Sequence, residues 1–237
     1  MDCRMLIAVG QFPIAQLLDD FKLIALNRNE KHELNRNNCN FIHDDGWGIV
    51  LGNSGKLKEL YKKDVPCWKD PRFLKYYNAK VDFLIVHARR ASDKKFVNLS
   101  YTHPFEREGW YFCHNGTVVD PPSKQKRDSE QFFSLILSNI KQQENIKQAI
   151  EDTSGQIIDY TALNFILANN ASAYVLVRHK RNPDYYTMKS LENEDHVIIS
   201  SEVLPNFKGE WKKIANDTLL QLDIAHRRLD YISLTTN

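Results

Sequence analysis

The sequence has few of the features that mark several large protein classes. Its four cysteines are scattered among 237 residues without a Cys-x-x-Cys pair, so neither a zinc ribbon nor a redox dithiol is predicted. Neither G-x-G-x-x-G nor G-x-x-x-x-G-K occurs, so the sequence predicts no nucleotide cofactor, and no other cofactor is indicated. The longest apolar-leaning stretch, 162–177, is broken by polar residues and falls short of a membrane span.

Charge of one sign is also lacking. Lys and Arg total 32 against 30 Asp and Glu, a net charge of +2. No basic stretch is interleaved with aromatic residues, so nucleic acid is not an expected partner. The apolar stretch 5–10 is too short for a signal peptide, and we expect a cytoplasmic protein that does not bind membranes. The composition, 42% hydrophobic and 26% charged, is that of an ordinary globular protein, and one domain over 1–237 is predicted.

Hydrophobic periodicity predicts many short strands and few helices. Strands are expected at 3–10, 46–51, 57–61, 81–87, 110–113, 174–178, 185–189, 197–200, 219–224 and 229–234. Helices are expected at 12–29, 71–79, 129–150 and 157–168. Strands joined by hairpins, with helices in two groups, favour antiparallel sheets covered by helices over a parallel doubly wound sheet.

Polar residues that do not fit a half-buried strand cluster at five places, four of them at predicted strand ends. The clusters are Cys3-Arg4, 43–48 (His-Asp-Asp-Gly-Trp-Gly), 87–92 (His-Ala-Arg-Arg-Ala-Ser), 102–105 (Thr-His-Pro-Phe) with 114–116 (His-Asn-Gly), and 127–130 (Arg-Asp-Ser-Glu). Strand ends and the loops beside them are where a rigid scaffold presents reactive groups, so these clusters are candidates for one shared cleft.

Taken singly, each cluster has a purely structural explanation. Cys3 is compatible with an inert buried thiol. Asn115-Gly116 is a common turn pair, and Ser129 suits a helix cap. Arg89 fits an exposed charge at a strand end, and Trp47 fits a core aromatic. Only the combination and the order of the motifs therefore indicate a function.

In that order, the motifs resemble the catalytic domain of class II glutamine amidotransferases, the N-terminal-nucleophile type. The resemblance covers residues 3–130, and Ser200-Ser201-Glu202 is similar to a signature of the stand-alone members. It implies an α+β fold, a four-layer α/β/β/α sandwich with two antiparallel sheets. It also implies hydrolysis of the side-chain amide of glutamine, or of another γ-glutamyl amide, through a cysteine thioester.

The resemblance also implies a role for each site residue. Cys3 matches the nucleophile, and Asn115 and Gly116 match the pair that stabilises the oxyanion. Arg89 matches the group that binds the substrate carboxylate, since Arg grips a carboxylate in a bidentate way. Ser92 matches a hydroxyl that helps to hold the carboxylate, and Asp128 matches the group that binds the α-ammonium.

Other motif residues are given less direct roles. Trp47 and its flanking glycines are expected to shape the pocket wall, and His103 and His114 are expected to be scaffold or gate residues. The fate of the ammonia stays open between transfer to a separate synthetase partner and release by a hydrolase that acts alone.

One departure from the family pattern keeps alternatives open. In the family the base is the α-amino group of the nucleophilic cysteine, whereas Asp2 precedes Cys3 here. One alternative is thus a catalytically silent relative that binds γ-glutamyl compounds or amino acids. Another is a metal-dependent hydrolase, although no local ligand pair such as His-Glu-x-x-His is present; its candidate ligands are His43, His87, His103 and His114 with Asp44 or Asp45.

Overall fold

A computed structural model describes residues 2–36, 41–53, 55–119 and 128–234, which form strands, α-helices and short 3₁₀ turns. The strands are β1 (Asp2–Gly10), β2 (Trp47–Asn53), β3 (Lys56–Lys63), β4 (Phe83–Arg90), β5 (Phe105–Arg107), β6 (Trp110–Asn115), β7 (Asn164–Ala168), β8 (Ser172–Val177), β9 (Lys189–Glu192), β10 (His196–Ser200), β11 (Lys212–Lys213), β12 (Thr218–Asp223) and β13 (Arg228–Ser233). The α-helices are α1 (Ile14–Ala25), α2 (Pro71–Lys75), α3 (Asp128–Gln142), α4 (Ile146–Gly155) and α5 (Pro183–Tyr186).

The strands form two antiparallel sheets. The first sheet has the order β11-β9-β10-β1-β4-β2-β3, and the second has the order β13-β12-β8-β7-β6-β5. Every strand pairing within the described ranges is antiparallel. The predicted antiparallel α+β class is confirmed.

Three apolar cores separate four layers. The strand β1 shows why, because its side chains alternate between two buried faces. Leu6 and Ala8 pack with α1 and α2 on the outer face of the first sheet. Met5 and Ile7 pack against the second sheet. The opposite face of the second sheet packs on α3 and α4, so the layers run helix, sheet, sheet, helix, as expected.

The helix α1 illustrates how local sequence directs this layering. Its buried residues recur at a spacing of three or four, which places them on one side of the helix; they are Ile14, Leu17, Leu18, Phe21, Ile24 and Ala25, with Asp20. The predicted helix over 12–29 is therefore confirmed in its centre, although the structure ends it at Ala25. Asn27 then adopts a positive φ of 57°, which ends the helical path.

The predicted helix over 157–168 is wrong throughout: α4 ends at Gly155, and residues 157–163 form no helix or strand. The structure places the strand β7 over Asn164–Ala168, with every residue buried. Phe165 and Leu167 face the helices, while Ile166 and Ala168 face the other sheet. A strand that is buried on both faces is apolar without interruption, so its sequence does not show the period of two.

Two further predictions need correction. The single helix expected over 129–150 is two helices, because Asn145 accepts hydrogen bonds from the N–H groups of Lys147 and Gln148 and so caps a second one, α4. The strand expected over 185–189 is the helical turn α5, followed by β9. Pro183 occupies the first turn of α5, a position that suits its fixed φ. The short strands β5 and β11 were not anticipated.

In the described part of the chain, no helix is both long and apolar enough to cross a membrane.

Candidate active site

Cys3 and Arg89 lie directly opposite each other at one end of the two central strands. They are register partners in the β1–β4 ladder, so their side chains share one face of the sheet. That face continues with Met5, which packs between the sheets. Cys3 is fully buried, and Arg89 is 1% exposed. The thiol and the guanidinium are thus brought together at the edge of the core between the sheets.

Burial controls the chemistry of this thiol. It raises the pKa of Cys3 to about 11, and the nearby Arg89 charge opposes that rise without cancelling it. Because the thiolate is the nucleophilic form of cysteine, the thiol in this state is protonated and unreactive at neutral pH. A nucleophilic Cys3 therefore requires a base beside it.

Asn115 reaches Cys3 from the second sheet. It is the last residue of β6, and its Oδ1 accepts a hydrogen bond of 2.8 Å from the Cys3 backbone N–H. Since the amide oxygen is used in this way, the Nδ2 group is the donor that Asn115 has left for another partner. The contact fixes the orientation of the amide relative to Cys3.

Gly116 makes the turn that follows Asn115, and no other residue fits there. Its φ is +143°, and a Cβ at this position would lie 1.9 Å from the carbonyl oxygen of Ala162. The chain after β6 therefore passes against the backbone before β7. This close approach sets the path of the backbone beside Asn115.

Arg89 is held by backbone carbonyl groups. Its Nη1 donates to the carbonyl oxygens of Phe96 at 3.0 Å and Asp45 at 3.4 Å, and its Cζ lies 5.7 Å from the Tyr101 ring centroid. Its Nε is buried without a hydrogen-bond partner among the described residues. Burial lowers the pKa of Arg89, while the charges of Cys3, Asp45 and Asp128 oppose that effect. A buried guanidinium with an unused donor favours an anionic ligand.

Asp128 begins α3. Its Oδ1 accepts from the Ser129 N–H at 2.8 Å and its Oδ2 from the Val118 N–H at 3.1 Å. The carboxylate thus ties the loop after β6 to the start of the helix. Its charge is among those that act on Arg89.

Ser92 follows the end of β4 and is exposed. Within the described ranges, no hydrogen bond links its side chain to the other candidate residues. Arg127, the first residue of the 127–130 cluster, lies outside the described residues. The structure thus joins Cys3 and Asn115 by a hydrogen bond and places Arg89 opposite Cys3, while the role of Ser92 stays a prediction.

Trp47 lies in a different place from the one expected. Its indole N–H donates to Asp70 Oδ2 at 3.1 Å, and its ring packs edge-to-face on Phe73 in the core between the first sheet and the helices. It is therefore a core aromatic. Gly48, in contrast, does face the motif residues, because a Cβ there would lie 2.2 Å from the His103 carbonyl oxygen.

Sequence reasoning missed Tyr185. Its hydroxyl donates a hydrogen bond of 2.9 Å to the Cys3 carbonyl oxygen, and Arg4 lies over its ring with Cζ 3.8 Å from the centroid. Arg4 also forms an ion pair of 2.8 Å with Glu202. The only signals were the position of Arg4 beside Cys3 and the Ser200-Ser201-Glu202 motif.

Three buried histidines lie close together near this site. The ring centroids of His87 and His103 are 4.6 Å apart, and His87 Nε2 is 3.3 Å from the His114 carbonyl oxygen. Burial lowers the pKa of His87 to about 3 and of His114 to about 4, and that of His103 well below its usual range. They are therefore neutral. Among the described residues, no three His, Cys, Asp or Glu side chains are grouped so that they could hold a metal ion.

A family comparison decides the classification. Residues 33–198 match the family described as "Glutamine amidotransferases class-II", which is most of the chain. The chain belongs to this family. The predicted resemblance is confirmed.

Individual relatives of this class II chain agree. A Haemophilus influenzae protein provisionally named a glutamine amidotransferase is 26% identical over 183 residues, which is 68% of this chain and 61% of that protein. The glutamine PRPP amidotransferase of Bacillus subtilis superposes with a TM-score of 0.66 at 16% identity, covering 99% of this chain and 50% of that one. A Silicibacter pomeroyi protein described as a glutamine aminotransferase class-II domain protein gives a TM-score of 0.61 at 14% identity, covering 98% and 100%. The two structural matches show a shared fold. The chain spans about three fifths of the Haemophilus influenzae protein and half of the Bacillus subtilis enzyme.

The close approach at Gly116 gives a stability prediction with a matched control. Gly109 also has a positive φ, of 77°, but a Cβ there would have nothing within 4 Å. Gly109→Ala should therefore cost only the backbone strain of about 1–2 kcal/mol. Gly116→Ala adds a clash with the Ala162 carbonyl and should lower the free energy of unfolding by clearly more, measured by urea denaturation. Equal losses in the two variants would contradict this account of the turn.

The histidine cluster gives a pH dependence. Because the folded-state pKa values are lowered, the unfolded chain takes up protons below about pH 6.5 that the folded chain does not. Stability should therefore be fully present above that pH and should fall as the pH drops toward 4 and 3, the values for His114 and His87. His103→Phe removes one of these groups and should lose less stability than the wild type between about pH 7 and pH 5 in urea titrations. A variant as acid-sensitive as the wild type would refute this.

Proposed function

We propose that this chain is a cysteine-dependent amidohydrolase that cleaves the side-chain amide of glutamine or of another γ-glutamyl amide. The observation that carries the proposal is the meeting of Cys3, Arg89 and Asn115 at one end of the space between the sheets. These are a thiol, a carboxylate-binding cation and an amide donor. Family membership supports the same reaction class.

The reaction requires Cys3 to begin the chain. In the structure Asp2 precedes it and pairs with Arg90 in the β ladder. Hydrolysis of the Asp2–Cys3 peptide bond adds one water, leaves the carboxylate on Asp2 and frees an α-amino group on Cys3. Such an amine has a pKa of about 8 and can take a proton near neutral pH. The nitrogen already lies 2.8 Å from Asn115 Oδ1, which would orient the new amine.

The chemistry then proceeds through a thioester. The Cys3 amine takes the thiol proton, and Sγ attacks the side-chain carbonyl carbon of the substrate. The oxyanion accepts hydrogen bonds from Asn115 Nδ2 and from the Gly116 N–H; one such donor is worth about 3 kcal/mol in other hydrolases. The C–N bond breaks, and ammonia or an amine leaves with the proton from the Cys3 ammonium. Water then attacks the thioester and releases glutamate and the thiol.

Substrate recognition rests on opposite charges at two positions. Arg89 binds the α-carboxylate with the help of its Nε, which has no hydrogen-bond partner among the described residues, and Asp128 binds the α-ammonium. The Ser92 hydroxyl donates a further hydrogen bond to the same substrate carboxylate. A buried cation and an anion at a fixed separation select a ligand whose α-amino and α-carboxyl groups are both free. The substrate class is therefore γ-glutamyl compounds that keep these two groups unmodified.

The fate of the ammonia gives two versions of the function. In one, the chain supplies ammonia to a separate synthetase, as a glutaminase subunit. In the other, it hydrolyses a γ-glutamyl compound and releases the product to solvent. The first version needs the partner for full activity, whereas the second gives full turnover from the isolated chain.

The retained Asp2 favours one second candidate, a binding protein without turnover. Asp2 Oδ1 accepts a hydrogen bond of 2.8 Å from the Tyr186 hydroxyl, so the unprocessed chain has a defined structure at this point. In that form Arg89 and Asp128 bind a γ-glutamyl ligand while Cys3 stays protonated. Two results together would favour this candidate. Calorimetry would detect glutamine binding, and the chain that begins at Cys3 would release no glutamate.

The nucleophile is tested by removing its sulfur. The chain that begins at Cys3 should release glutamate from glutamine, and the chain that begins with Ala in place of Cys3 should release none. Cys67→Ala is the control, because Cys67 is buried between the first sheet and the helices. Full activity in Cys67→Ala and none in Cys3→Ala, in an enzyme-coupled glutamate assay, is the expected pattern. Turnover by Cys3→Ala would overturn the mechanism.

The carboxylate site is tested by two neighbouring arginines. Arg89→Lys keeps the charge but loses the bidentate geometry, so KM for glutamine should rise about 10- to 100-fold, equivalent to about 1.5–3 kcal/mol. Arg90→Lys is the matched control, because its guanidinium lies over the Phe41 ring at 4.2 Å. Steady-state kinetics on both variants measure the difference. An unchanged KM in Arg89→Lys would exclude Arg89 from substrate binding.

A further inference from the structure

The strand that carries Cys3 has an uncovered edge near the site. β10 pairs with β1 from Gly10 to Leu6, where the partner is Ser200. Beyond Leu6, within the described residues, β1 has a strand neighbour only on its other edge, where β4 continues to Asp2. The backbone groups of Cys3 and Met5 on the uncovered edge therefore need other partners.

Three side chains and one backbone N–H supply those partners. Ser201 follows the end of β10; its hydroxyl accepts from the Met5 N–H at 3.0 Å, and its own N–H donates to the Met5 carbonyl oxygen at 3.0 Å. One step nearer the site, the Tyr185 hydroxyl donates to the Cys3 carbonyl oxygen at 2.9 Å, and Asn115 accepts from the Cys3 N–H. Both backbone groups of Cys3 are thus held by side chains.

Tyr185 is itself rigidly held. Arg4 donates from Nη1 to the Tyr185 carbonyl oxygen at 2.8 Å and covers the ring with its guanidinium. Arg4 is paired with Glu202 at 2.8 Å, and the two side chains are 1% and 2% exposed. Glu202 Oε2 also accepts from the Glu30 N–H at 3.0 Å.

An ion pair so deeply buried adds little net stability, because desolvation of both charges offsets their attraction. Its position gives it another use. Arg4 directly follows the nucleophile and contacts Tyr185 through both the ring and the carbonyl oxygen. Burial raises the pKa of Tyr185 well above its usual range, so its hydroxyl keeps the proton that it donates to Cys3.

We propose that Tyr185, fixed by the buried Arg4–Glu202 pair, is a positioning residue for the Cys3 nucleophile. This inference rests on the proposed function, since it concerns the form that begins at Cys3. It also gives the Ser200-Ser201-Glu202 motif a physical role, which is to end β10 and to supply the partners of Met5 and Arg4.

Positioning matters because a chain end frays unless side chains tie it down. In the processed form, Cys3 loses the covalent link to Asp2 and the pairing of Asp2 with Arg90. Its own carbonyl group and amine are then the remaining backbone anchors at that end of the strand. Tyr185 holds the first and Asn115 the second, so Tyr185 limits the directions in which Sγ can point.

Two adjacent tyrosines give a matched test. Tyr185→Phe removes the hydroxyl that holds Cys3 and that also lies 3.0 Å from His43 Nε2. It keeps the ring under Arg4 and the carbonyl oxygen. Tyr186→Phe removes a similarly buried hydroxyl. Its partner Asp2 is absent from the processed form, and its other partner, the Thr161 hydroxyl at 3.4 Å, does not touch Cys3. In the full chain processed to begin at Cys3, Tyr185→Phe should lower kcat for glutamine about 10- to 100-fold with KM little changed. Tyr186→Phe should keep the wild-type kcat.

The alkylation rate of the Cys3 thiol is a second measurement, and in Tyr185→Phe it should rise while kcat falls. Freeing the end of the strand exposes Cys3, so iodoacetamide should alkylate it faster in Tyr185→Phe than in Tyr186→Phe, as measured by peptide mass mapping. Equal kcat and equal alkylation rates in the two variants, with similar melting temperatures, would overturn the positioning role. If the wild type does not hydrolyse glutamine, the proposed function fails while the alkylation comparison still decides the role of Tyr185.

Discussion

The hydrogen bond between the Cys3 N–H and Asn115 Oδ1 joins the two sheets at the candidate site. Cys3 belongs to the first sheet and Asn115 to the second, so this contact exists only while the sheets keep their relative position. The core between the sheets holds that position, through residues such as Met5 and Ile166. The geometry of a site with few residues thus depends on the packing of the whole sandwich.

Water exclusion is the second property that the site depends on. Cys3, Arg89 and Asn115 are all at most 1% exposed, and hydrogen bonds and charges act more strongly in such an environment. The same burial keeps the Cys3 thiol protonated and the neighbouring histidines neutral. A site of this kind favours a base carried by the nucleophile itself, because His87 and His103 are poor proton acceptors here.

Much of the fold was predictable from the sequence, and the reasons for the failures are physical. The amphipathic α1 has a clear helical period, and the strands β1 and β4 are short, continuous apolar runs. The sequence of β7 does not identify it as a strand, because burial on both faces removes the alternation that distinguishes a strand from a helix. The long helix was not divided because Asn145 gives only a short local capping signal.

The site residues also divide into those that the sequence predicts and those that it does not. Cys3, Arg89 and Asn115 stand in recognisable motifs, and their strands bring them together. Tyr185 stands in no motif, and its role depends on where β10 ends relative to β1, which is a property of register. The family motif at 45–48 predicts Trp47 at the pocket wall, whereas the alternation along β2 directs it to the helix side.

The central claim is that a chain beginning at Cys3 forms a glutamyl thioester on that residue. The most direct measurement is mass spectrometry of the amino-terminal peptide after acid quenching of the chain during turnover of glutamine. We expect a peptide that starts at Cys3 and carries a glutamyl group, which treatment with hydroxylamine removes. Glutamate release from a chain whose Asp2–Cys3 bond is intact, or turnover without any acylated Cys3, would contradict it.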